Sequence, residues 1–245
     1  MKPPHRMNSL LILFFWLMTT TMLHAEPLRL NSGVSEPYFK ENKQGFIDLL
    51  VPALFQRIGV VAVGMQYAAS ERAMLNANNG IDDGVVLRIK GLEKAYPNLL
   101  RIDEKILDND FVAYAKNLAL SPKSFADLQP YQVAHINGWK IFENGLPVDA
   151  AVTKVQTPEQ LFSLLVSNRA DIVLYERWQG NHLIAEQGIK AQMLWPPLAS
   201  MEMFMYLHKK HEHLVEPAAR ALRAMKADGS YQRIASQTLP GYGKK

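Results

Sequence analysis

The sequence predicts an α/β protein built as two lobes, each an open α/β sheet, with the chain crossing between them twice. Three observations predict it. Short β-branched runs alternate with longer segments of helical period. The order strand–helix–strand–helix–strand occurs once before residue 90 and again after residue 130. Two apolar strand-like runs, Phe111 to Ala115 and Met203 to Leu207, stand outside both units and would carry the chain between lobes. Successive βαβαβ units imply sheets with right-handed crossovers. Two parallel crossing strands would then form a hinge that bends without tearing either core. The competing topology is a single seven-stranded sheet with no cleft.

In the first unit, Leu28 to Asn31 reads as a strand. Phe46, Leu49, Leu50, Ala53, Leu54 and Ile58 recur at helical spacing, and Gly59 supplies a stop. Pro52 fits that helix if it begins near Ile47 or Asp48, because first-turn N–H groups have no helical partner. Val60 to Tyr67 is a second strand, Glu71 to Asn78 a helix capped by Ser70, and Gly84 to Leu87 a third strand. In the second unit, Gln132 to Ile136, Ala151 to Val155 and Ile172 to Leu174 are the strands. Trp139 to Glu143 starts the first helix. Thr157-Pro158-Glu159-Gln160 opens the next, with Thr as cap, Pro at the first position and Gln three after the cap. Leu161, Leu164 and Leu165 give it a buried face, and a further helix runs from about Arg177 to Glu186. The chain ends in helices from His213 to Lys226 and from Ser230 to Thr238.

The first 25 residues read as a secretory leader. Lys2 and Arg6 precede an apolar run, Leu10 to Met18, and Ala25 precedes a polar junction. The uncharged stretch from Leu10 to Leu23 is 14 residues, whereas a spanning helix needs roughly 20. The expected segments are therefore a leader over 1–25, a first lobe over 26–110 and 205–245, and a second lobe over 111–204. Loss of Lys2 and Arg6 lowers the 27 basic residues to 25 against 23 acidic ones. Charge so near balance argues against nucleic acid, which would want a basic face, and against a polybasic membrane surface. The chain has no cysteine, which excludes disulfides, thiol nucleophiles, cysteine metal sites and a cysteine-linked lipid. An exported, untethered protein is expected to reside in a Gram-negative periplasm.

In open α/β sheets, ligands lie beyond the carboxyl ends of the strands. That rule selects Ser32, Ser35, Glu36, Tyr38 and Phe39 after the first strand, Arg72 after the second and Arg88 after the third. In the second unit it selects Asn137, Gly138, Trp139 and Lys140, then Tyr175, Glu176 and Arg177. The Arg88 guanidinium could grip a carboxylate with two parallel bonds; alternatively it pairs with Asp82, Asp83 or Glu93. Glu176 could receive an ammonium group, or could simply favour a helix N-terminus. Gly138 could present a backbone N–H to an anion, or serve an ordinary turn. Tyr38, Trp139 and Tyr175 could wall a ligand or pack a core, and Arg72 could be a solvated helix residue. His208, His211 and His213 lie close in sequence, yet there is no His-Glu-x-x-His pattern, no Gly-x-Ser-x-Gly turn and no phosphate-cradling loop. No cofactor and no metal is expected, and binding is expected rather than catalysis.

Three stretches carry a family likeness. Glu36-Pro37-Tyr38-Phe39 is followed by Gly45-Phe46-Ile47-Asp48-Leu49; Asn168-Arg169-Ala170-Asp171-Ile172-Val173 enters a strand; and Lys226-Ala227-Asp228-Gly229-Ser230-Tyr231-Gln232-Arg233-Ile234 lies near the end. In these the chain resembles the periplasmic solute-binding proteins of family 3, the amino-acid-binding class. The resemblance implies a type II two-lobed periplasmic binding fold, an amino-acid-like ligand in the cleft, and delivery by a monomer to an ABC permease of the inner membrane. It places Glu176 where the family holds the ligand ammonium. The family's Thr-x-x-Arg segment is absent from Gly91 to Leu99, so Arg88 would substitute, which marks a divergent branch. Members of the same architecture also include dehydratases and ligand sensors, and these are the alternative functions.

Overall fold

The computed structural model describes residues 26–67 and 70–243. The expected leader lies outside the described residues. Among the described residues, no helix is long and apolar enough to cross a membrane.

The first unit comprises β1 (Leu28–Ser32), α1 (Phe46–Gln56), β2 (Ala62–Gln66), α2 (Ser70–Asn78) and β3 (Gly84–Arg88). The second comprises β6 (Val133–Ile136), α3 (Lys140–Gly145), β7 (Val152–Val155), α4 (Pro158–Val166), β8 (Ile172–Glu176) and α5 (Arg177–Gln187). Between them lie β4 (Leu99–Arg101) and β5 (Leu107–Ala115). After them come β9 (Gln192–His208), α6 (Glu212–Ala227) and α7 (Ser230–Thr238). Each unit places its first strand between its other two: β1 pairs in parallel with β2 and β3, and β6 with β7 and β8. The internal repetition read from the sequence is therefore the organising symmetry of the fold.

Both halves are covered on two faces, which requires apolar residues at consecutive strand positions. In β8, Val173 and Tyr175 enter one core, while Ile172 and Leu174 enter another on the opposite face. In the first half, Val86, Met205 and Leu207 face the core built on α1, α6 and α7, and Val85, Phe204 and Tyr206 face α2. Each fully buried side chain of this kind contributes roughly 1.5–3 kcal/mol.

The strand order is β2-β1-β3-β9-β5-β8-β6-β7, with β4 also on β9. Eight strand runs were expected and nine strands form among the described residues, joined in one hydrogen-bonded path, the addition being β4. Among the described residues, the strand pairing that joins the two halves is the β5–β9 ladder, and most of the apolar residues on its two sides fall into different clusters, with Trp178 of α5 packing into the first. The expected parallel crossing is corrected: β5 and β9 are antiparallel. The chain leaves the first half on one strand and returns on the other, so the two must run in opposite senses.

Two further expectations change. β9 starts at Gln192, eleven residues before the anticipated run, because Pro196 and Pro197 disguise it. Leu194 pairs with Ala113 and Ala199 with Phe111, so the intervening prolines occupy a bulge. There the ladder demands no N–H from them. In α1, which begins at Phe46, Pro52 lies inside the helix rather than in its first turn. It forgoes the bond that its N–H would give to the Asp48 carbonyl.

The stretches that carry the family likeness have structural reasons. Asp48 Oδ2 accepts from Lys40 N at 2.8 Å and Gly45 N at 3.0 Å, tying the β1–α1 loop to the helix start. Near the C-terminus, Asp228 pairs with Arg57 at 2.7 Å and Gly229 turns with φ +80°. Lys226 Nζ donates to Glu104 Oε1 at 2.5 Å and to the Lys105 carbonyl, and Tyr231 Oη donates to the Ile106 carbonyl at 2.7 Å.

Candidate functional site

The loop after β1 meets the helix that follows β8 where the two halves come together, through Ser35 with Gln179 and Glu36 with His182. Here β5 and β9 pair Leu107 with Met203, Asp108 with Glu202, Asn109 with Met201 and Asp110 with Ser200. Asp110 is almost completely buried and needs partners. It finds Arg177 Nη1 at 3.1 Å and the Ser200 hydroxyl at 2.8 Å. The Arg177 guanidinium also lies 4.2 Å from the Trp178 ring centroid and 5.2 Å from that of Trp195.

Glu176 ends β8 and caps α5. Its carboxyl accepts from Trp178 N at 3.0 Å and Gln179 N at 2.9 Å, so the helix-capping role weighed from sequence is present. Capping does not exhaust its surroundings, since the Tyr38 hydroxyl from the first half lies near enough to act on its carboxyl. That hydroxyl lies 3.3 Å from Asn109 Oδ1 as well. Burial pushes the Glu176 carboxyl from 4.5 up to about 7, against the lowering effect of its backbone bonds and of Tyr38; the charge of Asp110 adds to the rise. A carboxyl poised at neutrality can be held ionised by a cation brought close to it.

Arg88 is the last residue of β3, not a surface residue after it. The alternative acids are engaged elsewhere: Asp82 pairs with Arg29, Asp83 with Lys210 and His211, and Glu93 with Arg101. The Arg88 side chain turns inward, with Nε 3.2 Å from Met74 Sδ and Nη1 3.3 Å from the Leu87 carbonyl. Nη2 is buried and, among the described residues, has no hydrogen-bond partner. Burial lowers the guanidinium to about 10, so it stays a cation at neutral pH. The backbone leading to it is strained: Leu87 has φ +56°, and the β3–β9 register shifts between Val85 and Arg88. A bulky residue at positive φ is rare, and such strain clusters at ligand clamps and active sites. Here it re-aims the one guanidinium at this strand end.

The remaining candidates fall into several groups. Tyr38 is buried against Phe46 with its hydroxyl at Glu176. Tyr175 is buried with its ring 4.9 Å from Trp139, which in turn stacks on Phe142 at 5.7 Å, so both pack the second core. Gly138 has φ +83° and its N–H is already given to Glu143 Oε1 at 3.2 Å. Arg72 is exposed on α2. Glu36 reaches across to His182, 2.9 Å away. Arg88 and Glu176 share no hydrogen bond or ion pair; Tyr38, not Arg88, is the candidate that the fold brings to Glu176.

Sequence reasoning missed Asn109, Asp110, Gln179 and His182. Gln179 Nε2 donates to the Ser35 hydroxyl at 2.8 Å, a second link between the halves. Together with Glu36, Glu159, Tyr175 and His182, these two residues line a cavity of about 230 Å³. The Gln179, His182 and Glu186 spacing along one helix face was the available signal, but no sequence pattern joins it to Glu36.

No family model matches the chain. An uncharacterized protein of Shewanella oneidensis is 26% identical over 153 residues, a match covering 59% of this chain and 58% of that protein. An ancestral cationic amino acid solute binding protein superposes with a TM-score of 0.71 at 20% identity, covering 87% of this chain and 95% of its own. The substrate binding protein of an amino acid ABC transporter gives 0.63 at 16% identity over 86% and 98%. An ancestral amino-acid-binding protein described as a precursor of cyclohexadienyl dehydratase gives 0.65 at 20% identity over 87% and 95%. Most such neighbours are binding proteins, with the dehydratase precursor among them. The paired βαβαβ units, the double crossing and these superpositions together give the chain the type II periplasmic binding protein fold, that of the amino-acid-binding proteins of ABC transporters.

Proposed function

We propose that the chain is an exported receptor that captures a small, amino-acid-like polar solute between two lobes and delivers it to an ABC permease. The lobes are residues 26–110 with 205–245, and residues 111–204; the compartment is the periplasm and the working form a monomer. The observation that carries this reading is the Arg88 guanidinium, held inward by a strained strand end with a buried Nη2 donor unmet by the described residues. Buried donors are almost always satisfied, and a ligand carboxylate is the acceptor this planar fork fits best. Glu176 supplies the opposite pole, because an approaching ammonium group would hold its carboxylate ionised. Selectivity follows from desolvation, since a charge closed into the cleft without its partner costs several kcal/mol.

The test is a melting-point screen of purified protein against amino acids, oligopeptides, polyamines and small carboxylates, followed by calorimetry with the compound that stabilises most. Arg88→Ala and Glu176→Gln are each expected to weaken binding by about a hundredfold, or roughly 3 kcal/mol, with the fold retained. Unchanged affinity in both variants would overturn the site assignment. A second reading, dehydratase-like catalysis with Glu176 as general acid, is favoured by a carboxyl poised near 7. Turnover of the bound compound, abolished by Glu176→Gln, would establish it.

A further inference from the structure

We propose that Glu36, His182 and Glu186 form a site for a divalent transition-metal ion, such as Zn²⁺, that clasps the two halves of the molecule together. Glu36 lies in the loop after β1, in the first half. His182 and Glu186 are one helical turn apart on α5, in the second, and that spacing puts both on one face. One ligand atom from each of the three lies within 4.8 Å of the others. His182 Nε2 is 2.9 Å from Glu36 Oε2 and 3.5 Å from Glu186 Oε2. Ligands held at about 2.1 Å around a tetrahedral ion sit roughly 3.4 Å apart. The existing separations therefore bracket what an ion needs, and small side-chain rotations would complete the set.

The imidazole supplies the second observation. His182 Nε2 is buried and makes no hydrogen bond, although a carboxylate oxygen approaches within 2.9 Å. The oxygen therefore lies off the direction of a ring N–H, as it would if both atoms faced a common third point rather than each other. One imidazole and two carboxylates suit zinc and its first-row neighbours better than magnesium or calcium, which prefer all-oxygen shells. Three protein ligands leave a coordination position open, and the adjoining cavity of about 230 Å³, with Glu159 in its wall, has room for water or a further ligand there. Because the ligands come from both halves, the ion would bind the closed arrangement more tightly than an open one, and so favour closure by its differential affinity.

The experiment is titration of Zn²⁺ into chelator-stripped, dialysed protein by calorimetry, with Mg²⁺ in parallel and small-angle scattering before and after. One equivalent of Zn²⁺ is expected to bind, with no comparable Mg²⁺ heat, and to lower the radius of gyration. Glu36→Gln, His182→Gln and Glu186→Gln should each weaken binding by more than the roughly tenfold to hundredfold lost when an outer-shell partner is removed. Circular dichroism melts of the three variants check that each remains folded. His211→Gln, in the separate cluster near α6, should change nothing. Absence of stoichiometric Zn²⁺ binding would reduce the cluster to an ion pair and overturn the proposal. Binding that survives Glu36→Gln but is lost with His211→Gln, or that leaves the radius of gyration unchanged, would overturn it equally.

Discussion

Glu176 makes the stability of this protein depend on pH in a direction opposite to that of most carboxylates. Its folded pKa of about 7 exceeds the ordinary 4.5 because burial disfavours the charged form. Between those two values the folded state retains a proton that the unfolded chain releases, so stability falls as pH rises. The loss begins near pH 4.5 and is complete above pH 7. At 1.36 kcal/mol for each unit of difference, the full effect is about 3 kcal/mol, of which about 2.5 kcal/mol develops between pH 5 and pH 8. Glu176→Gln removes the titration while keeping an amide oxygen able to accept from Trp178 N and Gln179 N. Urea unfolding of both proteins at pH 5 and pH 8 isolates the effect, because every other titrating group cancels in the difference between them. The wild-type protein should lose about 2.5 kcal/mol more than the variant across that interval. Equal losses would show that the carboxyl is solvated or ionised throughout, and the argument from its burial would fail.

Three other outcomes follow from the same region. Affinity for an ammonium-bearing ligand should fall about tenfold for each pH unit below 7, since Glu176 must first give up its proton; calorimetry at pH 5.5 and 7.5 measures this, and a flat profile would remove Glu176 from the ligand pole. Asp110→Asn takes the charge from a buried pair with Arg177 and should cost roughly 3 kcal/mol in urea unfolding, whereas an unaltered midpoint would mean the pair adds nothing. Gly45→Ala puts a Cβ 2.5 Å from the Tyr38 carbonyl oxygen and 2.8 Å from Phe39 Cα, both backbone atoms that cannot rotate away. A loss of about 1–3 kcal/mol is expected, and a neutral substitution would show that the loop after β1 is free to shift.

Much of the fold was legible because local and tertiary preferences agree. Thr157 caps α4 with Pro158 in the first turn, and Thr157 Oγ1 accepts from Gln160 N. α7 occupies the residues that its sequence pattern marks, Ser230–Thr238. The first half of β9 was hidden because Trp195, Pro196 and Pro197 argue against a strand unless a bulge opposite Val112 is already known. The candidate site was legible only in part. The carboxyl-end rule chose Arg88, Glu176 and Tyr38, but chain direction cannot reveal that Leu87 adopts a positive φ and turns Arg88 inward. A pairing such as Glu36 with His182 depends on how two separately packed bodies meet, and no periodicity within either body encodes it.

The bonds that Lys226 and Tyr231 make to residues 104–106 fix where any swinging of the two bodies must begin. The chain is pinned at three successive residues before it enters the ladder with β9, so the pivot cannot migrate backwards into the first body. It starts at Leu107, beside the buried Asp110 and its arginine. On the two-lobed reading proposed above, a C-terminal segment thus sets the length of the moving arm, and with it how widely the mouth between the bodies can open.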